Sequence, residues 1–508
     1  MPSDERDLAR RVAPLEMEPE EFRAAGRALV DRVADLLGSL RARKVTTGEP
    51  AAALREILGD DALPSRGLPA GEIVDDAAGL LFEHSLFNGH PRFFGYITAS
   101  AAPIGVLADL LAAAVNPNCG AWELSPMANA IEEQTVRWIA ELVGFPSDCG
   151  GLLVSGGNVA NFVCFLAARR ARAGVEVRAA GLSSGEGPLT VYASSETHTW
   201  IHKAADLFGQ GTDAIRWVPA DGEQRMDIAA LRKMIAADRA AGARPFLIVG
   251  TAGSVSTGAI DPLREIAAIA REEGLWFHAD GAYGAPAAAL PDASEDLRAI
   301  SLADSLAVDP HKWLYAPLEA GCVLVRDRSA LPDAFAYTPT YYAFDQGDEN
   351  PPPNFYALGF QNSRGFRALK VWMGLKQAGR EGYVRMIGDD CRLARALAEA
   401  IGGEPDLELL TCSLSIVTFR YAPKPSRTGS PEDEAVLDRW NEALLEKCKK
   451  GGELFVSNAR VSGRFALRAC IVNFRTTLSD VQAIPGIVAG LGRSISNQEA
   501  LVSPRPSD

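Results

Sequence analysis

Between residues 19 and 40 the apolar side chains Phe22, Ala25, Leu29, Val33, Leu36, Leu37 and Leu40 recur at intervals that gather them on one side of an α-helix. Nothing else before about residue 88 reads as sheet, so the start of the chain is expected to be helical. Such a stripe needs an apolar surface to cover it, in the same chain or in a second copy. From about residue 90 the pattern changes: "GLLVSG", "LTVYAS", "PFLIVGTAG", "LWFHAD", "SLAVD" and "GCVLVR" are short apolar or β-branched runs, several of them separated by helix-like stretches such as "VANFVCFLAARRARA" and "DPLREIAAIAREEG". This alternation predicts an α/β domain on a mostly parallel sheet, whose ligands bind beyond the carboxyl ends of the strands. A loop rich in Pro, Asn, Asp and Gly follows at 338–364, then a helix from "GFRALKVWMGLKQAG" and the strand candidates "SIVTFRYA" and "RACIVNFRTT". The expected divisions are a helical segment over 1–90, a large α/β domain over 91–375 and a smaller α+β domain over 376–508.

Composition narrows the function more than the fold. A chain of 508 residues with 47% hydrophobic and 23% charged residues is an ordinary globular composition. Its net charge of -14 argues against a nucleic acid as partner, because a polyanion needs a basic footprint. The most apolar long stretch, "AAPIGVLADLLAAAV", contains Asp109 and is shorter than the roughly 20 residues that cross a bilayer. With no signal-like apolar core near residue 1 and no targeting motif at the other end, a cytoplasmic protein that avoids membranes is expected. The eight cysteines lack CxxC spacing, which suggests neither a zinc site nor a disulfide framework.

Four features carry candidate chemistry. In "VDPHKWLYAP", Lys312 follows a strand-like run; it either reaches past Trp313 to water or is an amine of lowered pKa able to form a Schiff base. "SGGNVANF" (155–162) joins a strand to a helix through glycines, as a plain turn or as a cradle whose free N–H groups take a phosphate. His198 ends "LTVYASSETH", where an imidazole can stack on a flat cofactor and move protons, or serve structure alone. Asp280 closes "LWFHAD" ahead of the small residues of "GAYGAP", placed as a partner for a ring N–H⁺, a metal ligand or a helix cap; no second ligand at convincing spacing supports a metal. One βαβ-like excursion can bring Asp280 and Lys312 to the same sheet edge. A phosphate cradle, a stacking histidine, an aspartate for a pyridinium and a lysine for an aldehyde together specify pyridoxal 5′-phosphate.

The chain resembles the group II pyridoxal-phosphate-dependent decarboxylases, which include aromatic-L-amino-acid, histidine and glutamate decarboxylases. The likeness rests on "HPRFFGY" (90–96), "SGGNVAN" (155–161), "ETH" (196–198), "TAGSVSTGAIDP" (251–262), "HADGAYGAP" (278–286) and "DPHKWL" (309–314). It implies the aspartate aminotransferase-like fold, fold type I, in a homodimer with shared active sites and the segment 1–90 at its interface. By the same likeness Lys312 holds the cofactor and His311, Gly157 and Asn158 bind its phosphate. Asp280 pairs with the pyridine nitrogen, Ala282 lies under the ring and His198 above it. Ser254 occupies the position of a family threonine near the cofactor, and Asp309 falls where several relatives have Asn. "TPTYY" matches the mobile-loop motif, with Tyr341 as proton donor to the carbanionic intermediate; members with Phe there tend towards oxidative deamination. Lys312, His198, Tyr341 and Asp280 are therefore the expected catalytic set.

The expected reaction is decarboxylation of an L-amino acid, aromatic as first choice. Tyr96, Ile97, Thr98, Cys119, Ala121 and Trp122 are expected around the side-chain pocket, with Trp122 its aromatic wall. Arg92 or Arg468 could pair with a substrate carboxylate, although both read more readily as structural or surface residues. An acidic or other amino acid, an aldehyde-forming reaction, and an inactive binding protein on the same fold are the other readings.

Overall fold

The computed structural model of the chain describes residues 13–173, 176–182, 187–337 and 353–502, without the side chains of 499–502. The chain divides into two compact units, residues 1–93 with 446–455 and residues 94–445 with 456–508.

The first unit contains the helices Pro19–Ser39, Ala51–Leu58 and Ala70–His84. Arg32 reaches from the first to Asp75 on the third, Nη1 to Oδ1 at 2.6 Å. Its small apolar core joins Val45, Phe93 and Phe455, the two rings stacked 5.2 Å apart. The stripe anticipated on the first helix is present, yet no residue of that helix is fully buried, and Phe22, Leu29 and Val30 remain exposed.

The second unit is built on a seven-stranded sheet of order β1-β7-β6-β5-β4-β2-β3 and a four-stranded antiparallel sheet of order β10-β11-β9-β8. The strands of the large sheet are β1 (Gly150–Val154), β2 (Leu189–Ser194), β3 (Ile215–Val218), β4 (Arg244–Thr251), β5 (Trp276–Asp280), β6 (Ser305–Val308) and β7 (Gly321–Val325). β3, β2, β4, β5 and β6 run parallel, and β7 lies antiparallel between β6 and β1. This is the mostly parallel α/β architecture expected, and it is the architecture of fold type I. Phe246, Leu247, Ile248 and Val249 in β4 are all fully buried, the unbroken apolar run of a strand covered on both faces. The helix Leu263–Glu273 shows the other period: Leu263, Ile266 and Ile269 are buried, each contributing roughly 1.5–3 kcal/mol, and Gly274 ends it at φ 66°.

Three features depart from the pattern reading. β3 was not anticipated, since "IRWV" is only four residues long and carries Arg216, which pairs with Asp238 at 2.9 Å. In the small sheet, β8 (Leu407–Ser413) and β10 (Ser457–Val461) flank β9 (Ile416–Tyr421) and β11 (Arg464–Cys470). The run "RACIVNFRTT" is strand only as far as Cys470; beyond it Thr476 N–H turns back to Asn473 O, and Asp480 takes the Thr477 N–H to open the final helix. The boundary expected at 375/376 falls inside the helix Ala368–Gly403, just before Gly379 interrupts it at φ 64° and ψ 173°.

Candidate active site

Register places the chemistry along one edge of the large sheet. Asp280, last residue of β5, lies opposite Thr251 at the end of β4 and Ala307 near the end of β6; Asp309 follows β6 directly. β1 runs antiparallel to β7, and so in the same sense as β6, which brings the turn after Val154 to the same edge. Around it lies a cavity of about 320 Å³ lined by Ser155, Gly156, Gly157, Asn158, Asn161, His198, Thr251, Asp280, Ala282, Asp309, His311, Lys312 and Glu319, among others. The excursion from Asp280 to Lys312 is therefore the neighbouring-strand crossover anticipated.

The turn before the helix Gly157–Arg172 explains its glycines. Gly156 sits at φ 92°, and a Cβ at 157 would stand 2.5 Å from Asp309 Oδ2. No side chain caps this helix, so its first N–H groups stay available to an anion. Asp309 Oδ2 takes the Lys312 ammonium at 2.9 Å, while Oδ1 is buried with no hydrogen-bond partner among the described residues. Thr251 Oγ1, also on the lining, is orphaned in the same way. Buried polar atoms without partners mark places where a ligand group completes the bonding.

Asp280 is buried and fully oriented: Oδ2 accepts the indole N–H of Trp200 at 2.8 Å and Oδ1 the backbone N–H of Ala282 at 3.2 Å. His198 Nδ1 accepts the Trp200 backbone N–H at 3.3 Å, which puts the proton of the neutral ring on Nε2. Burial depresses its pKa, so the ring is neutral near pH 7. His311 donates from Nδ1 to Ala320 O at 2.6 Å. Lys312 reverses one expectation: burial pulls its pKa down, but the charge and hydrogen bond of Asp309, with Asp280 behind, outweigh burial and hold it above the ordinary lysine value. In the cofactor-free chain the amine is an ammonium.

Lys312, Asp280, His198, Gly157, Asn158, Ala282, Asp309 and His311 thus meet in one cavity. Ser254 does not reach it: its hydroxyl lies 3.0 Å from Thr257 Oγ1 within the turn that follows β4. Nor do the six residues expected around the side-chain pocket. Tyr96 is exposed at φ 50°, with its N–H on Ser457 Oγ; Ile97 is buried and Thr98 half-buried; Cys119 and Ala121 are buried; and Trp122 N–H bonds Asn354 Oδ1. Tyr341 lies outside the described residues. Arg468 is spent on Ser457 Oγ and the carbonyl of Val255. His278 is buried between Asn161 Oδ1 at 2.7 Å and Ser305 Oγ at 2.9 Å, with burial driving its pKa to about 4. Trp200 was missed; its place beside "ETH" was the one available signal, since only folding reveals that its indole reaches across to Asp280.

The family described as "Pyridoxal-dependent decarboxylase conserved domain" matches residues 51–422. An aromatic-L-amino-acid decarboxylase of Bacillus atrophaeus is 32% identical over 483 residues, covering 95% of this chain and 98% of that protein. The crystal structure of mouse CSAD superposes with a TM-score of 0.87 at 28% identity, over 94% of this chain and 99% of that one. Oryza sativa TDC, solved with PLP and tryptamine, gives a TM-score of 0.87 at 25% identity, over 96% and 100%.

Proposed function

The chain belongs to the pyridoxal-dependent decarboxylases, and from that premise we propose that its substrate is an aromatic L-amino acid, which leaves as the arylalkylamine and carbon dioxide. The observation that carries the reaction is the convergence of Lys312, Asp280 and the Gly157 turn in one cavity. The free N–H groups at the uncapped start of the helix Gly157–Arg172, and the orphaned Thr251 Oγ1, fit pyridoxal 5′-phosphate. When bound, that cofactor supplies a sink for the electrons of the breaking Cα–carboxylate bond.

Lys312 would hold its aldehyde carbon and Gly157, Asn158 and His311 its phosphate, with Ala282 and His198 on its two faces. Asp280, held by Trp200 and the Ala282 N–H, would pair with the ring nitrogen and favour its protonated form. The Lys312 amine, once free of its proton, would be the nucleophile that anchors the cofactor. By the family likeness Tyr341 would be the donor of the proton that Cα requires, and the neutral His198 on the cavity lining is a second group able to move it. Retention of Tyr341 favours the amine over an aldehyde. Glu319 on the lining is paired with Arg367 at 2.7 Å, Lys312 with Asp309 at 2.9 Å, and Arg468 is engaged elsewhere; with these cations already engaged among the described residues, a neutral substrate side chain is favoured over an acidic one.

The same reading makes the enzyme a cytoplasmic homodimer with shared active sites, the segment 1–90 at its interface. In support, Leu107, Leu110, Leu111 and Val115 stand exposed on the helix Pro103–Val115, Phe22 and Val30 on the N-terminal helix, and all eight cysteines are free. The six pocket residues would then serve the neighbouring subunit's cavity. The deciding experiment is mass spectrometry of products from the cofactor-loaded protein and a pool of L-amino acids: an arylalkylamine is expected, and a non-aromatic amine or an aldehyde would overturn the substrate or reaction assigned.

A further inference from the structure

We propose that Asp390 is a positioning residue for Lys312: from the long helix it grips the two aromatic side chains that follow the lysine, and thereby sets where the amine meets the cofactor. The inference rests on the reading of Lys312 given above.

Lys312 lies in a tight turn, its N–H on Asp309 O at 2.9 Å, Tyr315 N–H on Lys312 O at 3.2 Å and Ala316 N–H on Pro310 O at 3.1 Å. A turn can be well formed and still misplaced, so something outside it must locate it. The next three residues are all tied to the helix Ala368–Gly403. Trp313 Nε1 and Tyr315 Oη both donate to Asp390 Oδ2, at 2.8 and 2.7 Å, and the carbonyl of Leu314 accepts from Tyr383 Oη at 3.1 Å. Tyr383 and Asp390 are seven positions apart, two turns along one helix face.

Two further contacts extend the hold. Tyr315 has a φ of 55°, which a residue with a Cβ adopts only when its surroundings impose it; Asp390 and the Ala102 N–H on Tyr315 O at 2.8 Å do so. The Trp313 ring stacks on Tyr283 at 4.9 Å and 15°, and Tyr283 adjoins Ala282 on the cavity wall. One carboxylate therefore braces both the lysine turn and the strip beside it. Asp390 is 2% exposed and forms no ion pair among the described residues. Burial raises its pKa to about 7, against the bonds from Tyr315 and Trp313; Asp389, Tyr383, Cys391 and Cys470 are the other titratable groups around it. A buried carboxylate with neutral donors only is costly to keep, and the reaction as derived does not use it.

The test uses the holoenzyme and the variants Asp390→Leu, Asp390→Asn and Tyr315→Phe. Borohydride reduction and peptide mass spectrometry of the wild type come first: cofactor absent from Lys312 there would overturn the reading of the lysine, and this proposal with it. With Lys312 labelled, Asp390→Leu should lower kcat about tenfold with KM within about threefold, and move the pH midpoint of the cofactor's visible absorbance by about half a unit. Asp390→Asn, which keeps an acceptor oxygen, should restore both to within about threefold and about 0.2 unit of wild type. A Leu variant whose Tm falls while kcat and midpoint stay at wild-type values would overturn the proposal and leave Asp390 a purely structural residue. Should Asp390→Leu not fold, Tyr315→Phe decides on the same two readings, because it removes one donor and keeps the ring.

Discussion

Replacing Asp309 by Asn removes the charge that holds the Lys312 ammonium at 2.9 Å. Two opposing quantities set the effect. Unit charges at that separation attract by about 6 kcal/mol at an effective dielectric of about 20, and desolvation of the pair takes back much of it. Lys312 keeps 21% of its side chain exposed against 2% for Asp309, so the net loss is nearer about 2 kcal/mol than the full cost of breaking a sealed pair. At about 1.4 kcal/mol per factor of ten this is roughly 30-fold more free amine at neutral pH. The sign follows from burial, which by itself lowers the lysine pKa and is overcome in the wild type chiefly by Asp309. In the wild type the pair stabilises the cofactor-free protein below the ordinary lysine pKa, and that contribution fades as pH rises through the raised value. The assay is the rate of Lys312 acetylation in cofactor-free protein between pH 6 and 9, read by peptide mass spectrometry. Rates for Asp309→Asn within about twofold of wild type would refute the argument that Asp309 controls this amine.

Gly157→Ala should weaken cofactor binding about tenfold in a spectral titration, because the new Cβ lands 2.5 Å from Asp309 Oδ2; unchanged affinity would show that the turn has room to spare. Arg364→Leu should cost about 3–5 kcal/mol in thermal and urea unfolding, since Glu132, with no exposure, keeps among the described residues only the Leu153 N–H at 2.8 Å; the Glu132→Leu, Arg364→Leu double variant should recover much of the loss. His278, neutral with a pKa near 4, binds fewer protons folded than unfolded, so its share of stability is complete above about pH 6.5 and falls as pH drops towards 4. Relative to His278→Gln, the wild type should lose about 2 kcal/mol between pH 7.5 and pH 5, and equal losses in both proteins would contradict the burial argument.

Strand-length apolar runs announced six strands of the large sheet because each is buried on both faces, and a strand covered on both faces carries its signature locally. β3, β8 and β10 escaped because they are short or interrupted by polar residues, and pairing with neighbours makes them strands. Lys312, Asp280, His198 and the Gly157 turn were legible for a related reason: in a parallel sheet, function gathers at strand ends, and each stands at or just beyond the end of a recognisable run. Nothing local distinguishes Trp200 as the orienting partner of Asp280, or Asp390 as the anchor of Trp313 and Tyr315, since the contacts span 80 and 75 to 77 residues of chain. The charge of Lys312 belongs to the same class. Its residue type and position were written in the chain, but whether burial or Asp309 prevails depends on a 2.9 Å separation that exists only after folding. Residue chemistry and period are local properties and can be read in order; balances between desolvation and attraction are set by distances across the fold.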